Sequence, residues 1–338
     1  MATWWIVSTV RDDERRLIAQ ADRHLSLGAS GITFFLDVPD DPFPFRLAAM
    51  PGVRIVICDN EHWNGKRPFR RVARQAENAW RVYRECPADW LLHLDSDEAV
   101  LSETAIHAML SAIPEDIAAV RLPVFERMSG PSDPGRLDGL YRRALERNRP
   151  RLVNGVYRSR YSEFLKLGLL GHNRGKSFFR TGVAGLRPGI HDPNEGAAKG
   201  FAVADAEGVY LLHRAFDDWR RIEGNINWRI GELGPDLVRP GGWSGGIYNL
   251  AAAAYQGRPV DAKAVFNEVV NPPDEVKQRL LEREMALEVK TDPSFAYRVF
   301  RDIRLGLRAG LDRRRVVRGE IDDRNPNRRA ESAVSGRG

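Results

Sequence analysis

Short apolar runs punctuate the first part of the chain at regular intervals. Trp4 to Val10, Gly31 to Leu36, Val53 to Cys58, Trp90 to Leu94 and Ile117 to Phe125 are β-rich and too short to be buried helices. Between them the apolar positions recur at helical spacing. Arg11-Asp12-Asp13-Glu14 opens a helix with acids in its first turn; Leu17, Ile18, Ala21 and Leu25 form its stripe, and Gly28 is a natural stop. Pro68 to Arg84 reads as a long helix through Val72, Ala76, Ala79, Trp80 and Tyr83, and Ser102 to Ile113 as another. Strand and helix in alternation predict an α/β fold, a mostly parallel sheet wrapped by helices on both faces.

From about Met128 the texture changes. Ser129 to Gly135 reads as a loop, and the Arg-rich stretch to Arg160 lacks clear periodicity. Gly175 to Arg180 and Gly208 to Leu212 read as strands, Phe216 to Leu233 as a helix, Pro235 to Gly246 as a Gly/Pro loop, and Asp274 to Glu288 and Ser294 to Leu311 as helices. The division expected is 1–215, a helical region 216–311 and a basic, disordered tail 312–338.

The chemistry concentrates where the fourth apolar run ends, in Trp90-Leu-Leu-His-Leu-Asp95-Ser96-Asp97-Glu98. A buried strand ending in three carboxylates delivers them to the carboxyl edge of the sheet, where open α/β folds bind ligands. Asp95 and Asp97 fall on one face of an extended strand, and a hard divalent cation relieves their repulsion. The competing reading is an acidic turn capping a helix that starts at Ser102-Glu103. Asp37 and Asp59 also follow strands; an acid there either binds a ribose or base or is a turn residue, the reading preferred for Asp59.

The chain has 338 residues, 43% of them hydrophobic and 29% charged, with net charge +6, as expected of a globular protein that favours anionic partners. Two cysteines imply neither a disulfide framework nor a cysteine zinc site. The opening residues lack a basic leader, and no apolar run approaches membrane-spanning length, so the expected address is cytoplasmic. No GxGxxG follows the first strand, which argues against a dinucleotide-binding domain. Gly171-His-Asn-Arg-Gly175-Lys176-Ser177 is not a Walker A loop, because position 170 is Leu170 rather than glycine.

Three quoted stretches together, Arg11-Asp-Asp-Glu14, His24-Leu-Ser-Leu-Gly28 and Leu94-Asp-Ser-Asp-Glu98, resemble the family-2-like glycosyltransferases, whose motifs read approximately RNE…H…LG and DxDEF. The resemblance covers residues 4 to about 215 and extends to Gly175-Lys176-Ser177 and Ile190-His191-Asp192-Pro193. Asp13 stands near where asparagine is common, and Ala99-Val100 replaces Phe-Leu. The resemblance implies a GT-A fold and transfer of a sugar from a nucleotide-diphosphate donor to a saccharide or lipid-linked acceptor. It further implies Mn²⁺ or Mg²⁺ held by Asp95, Asp97 and His191, with His213 competing for the third place. Lys176 then faces the diphosphate or the acceptor, and Val10, Arg11, Asp37, Arg71, Gln75, Asn78, Asp95 and Ser96 face the nucleotide. Glu98, Asp192 and Glu163 are candidates for the base of an inverting reaction, with Asp192 preferred.

A haloacid-dehalogenase-like phosphatase is the enzymatic rival, but Ala99 and the position of the motif on the fourth strand count against it. A basic nucleic-acid-binding module accounts for the charge but not for the acidic edge, and nucleic acid is not an expected partner. Ala296, Val299, Phe300, Ile303, Leu307 and Leu311, flanked by arginines, make 294–311 a candidate peripheral membrane contact or a helix packed on the catalytic domain.

Overall fold

The computed structural model describes residues 1–38, 43–130, 135–193, 200–239 and 245–290. The expected helix at 294–311, the tail at 312–338 and most of the Gly/Pro loop lie outside the described residues.

Two sheets organise the chain. The strands are β1 (Trp4–Val10), β2 (Gly31–Leu36), β3 (Val53–Ile57), β4 (Trp90–His93), β5 (Glu98–Ser102) and β6 (Ile117–Arg121). They continue with β7 (Val124–Ser129), β8 (Gly139–Arg143), β9 (Ser177–Arg180), β10 (Ala202–Asp205), β11 (Val209–His213) and β12 (Ala286–Val289). The helices of eight residues or more are α1 (Glu14–Ser26), α2 (Arg71–Arg84), α3 (Pro150–Tyr157), α4 (Trp219–Leu233), α5 (Gly246–Tyr255) and α6 (Asp274–Glu282).

The first sheet has seven strands in the order β10-β6-β9-β4-β1-β2-β3. It is parallel apart from β9, which runs antiparallel between β4 and β6. Its strands are apolar on both faces because both are covered, which is why they read as continuous runs. One face buries Trp4, Ile6, Ile32, Phe34 and Leu92 against Leu17, Ile18 and Ala21 of α1. The other buries Val7, Phe35, Val56 and Leu91 against Ala79, Val82 and Tyr83 of α2. Asp13 caps α1, accepting from the Arg16 backbone N–H, and Gly28, at φ +93°, lets the chain turn back toward β2.

The second sheet, in the order β12-β8-β7-β11-β5, corrects three expectations. Glu98 to Ser102 is strand β5 rather than a loop into a helix; the helix begins only at Ile106 and ends at Ser111. The run Ile117 to Phe125 breaks at Leu122-Pro123 into β6 and β7, because proline removes a ladder donor and the chain changes sheets there. The stretch expected to be helical through Glu288 ends at Glu282 and continues as β12, paired antiparallel with β8. Residues of α4, α5 and α6 share one core with Met128, Val153, Val156, Tyr161 and Leu170. Among the described residues, no helix is long and apolar enough to cross a membrane.

Candidate active site

β4 belongs to the first sheet and β5 to the second, so Leu94 to Asp97 carries the chain from one sheet to the other. The turn closes on itself: Glu98 N–H donates to Asp95 O at 3.1 Å, and Asp95 N–H donates to Glu98 Oε2 at 2.8 Å. The signature stretches of the N-terminal region are tied to it. Ser96 Oγ donates to Asp12 Oδ2 (2.9 Å), Gln20 Nε2 donates to Asp95 O (2.9 Å), and Val100 N–H donates to His24 Nε2 (3.1 Å). His24 is therefore a structural histidine. Its Nδ1 meets Gln20 O at 2.7 Å, and burial presses its pKa down to about 3.

The three carboxylates fare differently. Asp95 is fully engaged, with Lys176 Nζ at 2.8 Å from Oδ2 and Gln75 Nε2 donating to Oδ1. Lys176 has no exposed surface and also reaches Glu98 Oε2 at 3.4 Å. Burial opposes ionisation of both partners, but their mutual attraction outweighs it. Asp95 is held well below the usual carboxylate range, and Lys176 is raised. Lys176 was expected to face the diphosphate or acceptor; its charge is instead spent inward, neutralising the acid cluster. Glu98 is buried, its other oxygen 3.1 Å from His172 Nε2. Burial lowers the His172 pKa, but the Glu98 hydrogen bond and charge outweigh that and raise it.

His213 stands directly across from Glu98 in the β5–β11 ladder, with Nε2 3.9 Å from Asp97 Oδ2. Its Nδ1 is buried with no hydrogen-bond partner among the described residues. Burial, then the His172 charge, lowers its pKa. One ligand atom each from Glu98, His172 and His213 lies within 4.8 Å of the others, a donor set that a divalent cation fits. The expected set of Asp95, Asp97 and His191 is not assembled: Asp95 is occupied, and His191 Nδ1 sits 2.9 Å from Gly175 O. The His191 ring lies 4.8 Å from that of His172, and burial followed by the His172 charge holds its pKa well below the ordinary value.

His172 is held in place by a buried ion pair on the second sheet. Glu126 of β7 accepts from Arg142 Nε (2.7 Å), from Leu170 N–H (3.0 Å) and from Gly171 N–H, and Arg142 continues to Tyr157 Oη (3.0 Å) and Val269 O (2.8 Å). A Cβ on Gly171 would lie 2.6 Å from Glu126 Oε2 and 2.8 Å from His213 Cε1, so only glycine admits this approach. Gly175 is tighter still, since its Cβ would overlap Leu122 O at 1.6 Å. His172 was not among the expected site residues; Gly171 and Gly175 on either side of it are the local signal that could have found this loop, and nothing in the pattern singled out Glu126.

Other expected site residues are dispersed. Asp37 is clamped by Arg74 (2.8 Å) and Arg67 (2.9 Å), and its N–H donates to Val10 O. Arg11 is exposed at the end of β1. Gln75 reaches the cluster, but Asn78, one turn on, donates to Thr9 Oγ1 (3.0 Å) and meets His62 Nε2 (2.9 Å) instead. Arg71 lies over the Trp228 ring at 5.4 Å. Asp192 is engaged by Arg121 and lies 3.7 Å from Arg174, while Glu163 pairs with Arg258 (3.0 Å) at the surface. Asp59 accepts from His62 N–H at 2.8 Å, as a turn residue does.

No family model and no curated protein matches the chain. Among solved structures, it is similar to a mycobacterial protein at 16% identity and TM-score 0.31, over 53% of each chain, about half the length of that relative. The galactosyltransferase LgtC, crystallised with donor and acceptor sugar analogues, aligns at 12% identity and TM-score 0.24, over 52% of this chain and 57% of its own. TarS 1–349 of S. aureus aligns at 10% identity and TM-score 0.32, over 92% and 93%. Likenesses this remote identify neither fold nor chemistry for this chain.

Proposed function

We propose that the protein is a metal-dependent glycosyltransferase that moves a sugar from a nucleotide-diphosphate donor to an acceptor hydroxyl. One observation carries this reading. Three carboxylates, an internal lysine and two facing histidines converge at the carboxyl edge of a mostly parallel sheet, in the motif that resembles those transferases. Glu98, His172 and His213 would hold the ion, with Asp97 beside His213. Two imidazoles and a carboxylate suit Mn²⁺ better than Mg²⁺. A bound divalent ion would supply charge neutralisation on the leaving diphosphate.

In the reaction, the acceptor oxygen bonds to the anomeric carbon, the bond from that carbon to the diphosphate oxygen breaks, and the hydroxyl proton passes to a carboxylate. Asp192, beside His191 in the chain, is the base we assign; it would have to be freed from Arg121, whereas Glu98 is walled in by His172, Lys176 and the Asp95 N–H. Lys176 and Gln75 fix Asp95, and the nucleoside diphosphate lies over the carboxyl ends of β1 and β2 and the first turns of α2.

The test is thermal stabilisation by UDP, GDP and their sugars, with and without Mn²⁺, on wild type, Asp97→Asn and His213→Ala. Ligand at about a hundredfold over its Kd adds roughly 2.7 kcal/mol to native stability. Stabilisation that requires Mn²⁺ and vanishes in both variants is expected. Equal stabilisation in either variant overturns the assignment.

A further inference from the structure

Beside this cluster lies a second feature the reaction centre does not use. A cleft of about 690 Å³ opens between the outer face of α2, helices α4 and α5, and the segment Arg187 to Gly189. That volume falls in the ~300–1,000 Å³ range of small-molecule sites. It adjoins the centre on two sides: Ala76 in its wall follows Gln75, which donates to Asp95, and Gly189 precedes His191 by two residues. Tyr248, also in the wall, would lie 3.3 Å from a Cβ at Gly245, which in turn would be 3.5 Å from Gly171 O.

Its lining combines aromatic rings with cations. Trp63, Trp228 and Tyr248 present the rings. Trp228 is 38% exposed, unusual for so large an apolar side chain, and buried Trp63 has an indole N–H with no acceptor among the described residues. Guanidinium groups back these rings: Arg81 over Trp63 at 5.5 Å, Arg229 over Tyr248 at 4.4 Å and over Trp228 at 5.1 Å. Four cationic residues, Lys66, Arg70, Arg81 and Arg187, line the cleft with two acids, Glu77 and Glu232, and Arg70 also lies 3.8 Å from Asp236 at its rim. Glu77 is shared between Arg187 at 2.8 Å and Arg81 at 3.6 Å, so one carboxylate offsets two cations. Lys66 is exposed and forms no ion pair among the described residues. Aromatic faces with a surplus of positive charge match a ligand that has flat C–H faces and carboxylates.

We propose that this cleft binds an acidic oligosaccharide, and that an anionic glycan is the acceptor of the transfer. The second half rests on the transferase reading; the first does not. Glycan rings stack on Trp228 and Tyr248, their carboxylates face Lys66 and Arg70, and the terminal hydroxyl is directed toward Asp192 past Gly189.

Binding without nucleotide separates the two. Calorimetry on the full chain would use a trigalacturonate probe, with maltotriose as its neutral counterpart, on wild type, Trp228→Ala and Lys66→Glu. Both side chains are on the surface, so the variants should keep the wild-type melting temperature. The expected result is uronate binding at least about tenfold tighter than neutral binding, weakened by salt, and reduced about tenfold in each variant. Equal affinity for the two sugars, no uronate binding, unchanged affinity in the variants, or displacement of the uronate by UDP each overturns the cleft assignment. None of these outcomes alters the Mn²⁺-dependent nucleotide stabilisation that tests the transferase reading.

Discussion

Replacing Glu126 by glutamine tests how the second sheet supports the site. The carboxylate is 1% exposed, as is Arg142, and each satisfies the other. Burial alone would raise the Glu126 pKa, but the Arg142 charge outweighs it and holds Glu126 below its usual range. Glu126→Gln keeps one oxygen at the Oε1 position for Leu170 N–H and the guanidinium, but sets an amide NH₂ against Gly171 N–H and removes the charge that balances Arg142. Breaking a buried pair from one side costs about 3–5 kcal/mol, mostly the uncompensated charge. At about 2–4 °C per kcal/mol for chains of this order of size, the melting temperature should fall by roughly 6–20 °C. Urea unfolding of Glu126→Gln, Arg142→Met and the double variant provides the assay. The double variant should recover most of the loss, because it buries no lone charge. A single-variant cost under about 1 kcal/mol, the range of exposed ion pairs, would refute the reasoning. Mn²⁺ affinity should fall in Glu126→Gln even in native conditions, since the Gly171 turn that carries His172 loses its anchor.

Two further outcomes are expected. His24 and His93 are buried, and burial depresses each to about 3 from 6.5, so the native state stays neutral where the unfolded chain takes up protons. Stability is therefore complete above pH 6.5 and lost as pH falls from there toward 3, by about 1.4 kcal/mol per pH unit for each histidine. His24→Gln, which keeps both a donor and an acceptor, should flatten the slope of unfolding free energy between about pH 6 and 4 by that amount; an unchanged slope would show that His24 protonates in place. Gly175→Ala drives a Cβ into Leu122 O and should cost several times the ~1 kcal/mol of an ordinary substitution, read as a lower urea midpoint. A wild-type midpoint would mean that Leu122 O gives way freely.

The first sheet was legible because both its faces are buried. β1 to β4 are mostly apolar runs, broken only by Ser8, Thr9, Thr33, Arg54 and His93, and their bounds match to within a residue at each end. The second sheet was not, and Glu126 and Arg142 give the reason. Each sits in the middle of a strand (β7 and β8) with its charge cancelled by the other, so the pattern shows polar residues where the chain is most buried. Pattern reading assigns burial to single residues, whereas this burial belongs to a pair 16 positions apart. β5 was hidden differently: Ser102-Glu103 has the composition of a helix start, and only the partner β11 decides for a strand. The acidic motif was singled out, and Lys176, Gln75 and His213 with it, but not His172 or which group meets which. Lys176, His172 and His213 approach it from remote segments, and no local spacing encodes which imidazole faces which carboxylate.

The turn from β4 to β5 makes the acid cluster a seam between two layers. A chain with only its first sheet assembled carries Asp95 but has Glu98, His172 and His213 scattered, since those depend on β5 and β11 being joined. If the proposed cation binds at Glu98, His172 and His213, it would act as a rivet: it would bind the docked layers and not the separated ones, and by mass action hold them closed. On that reading the ion-free protein would part first along this line, and a chelator would lower its unfolding midpoint.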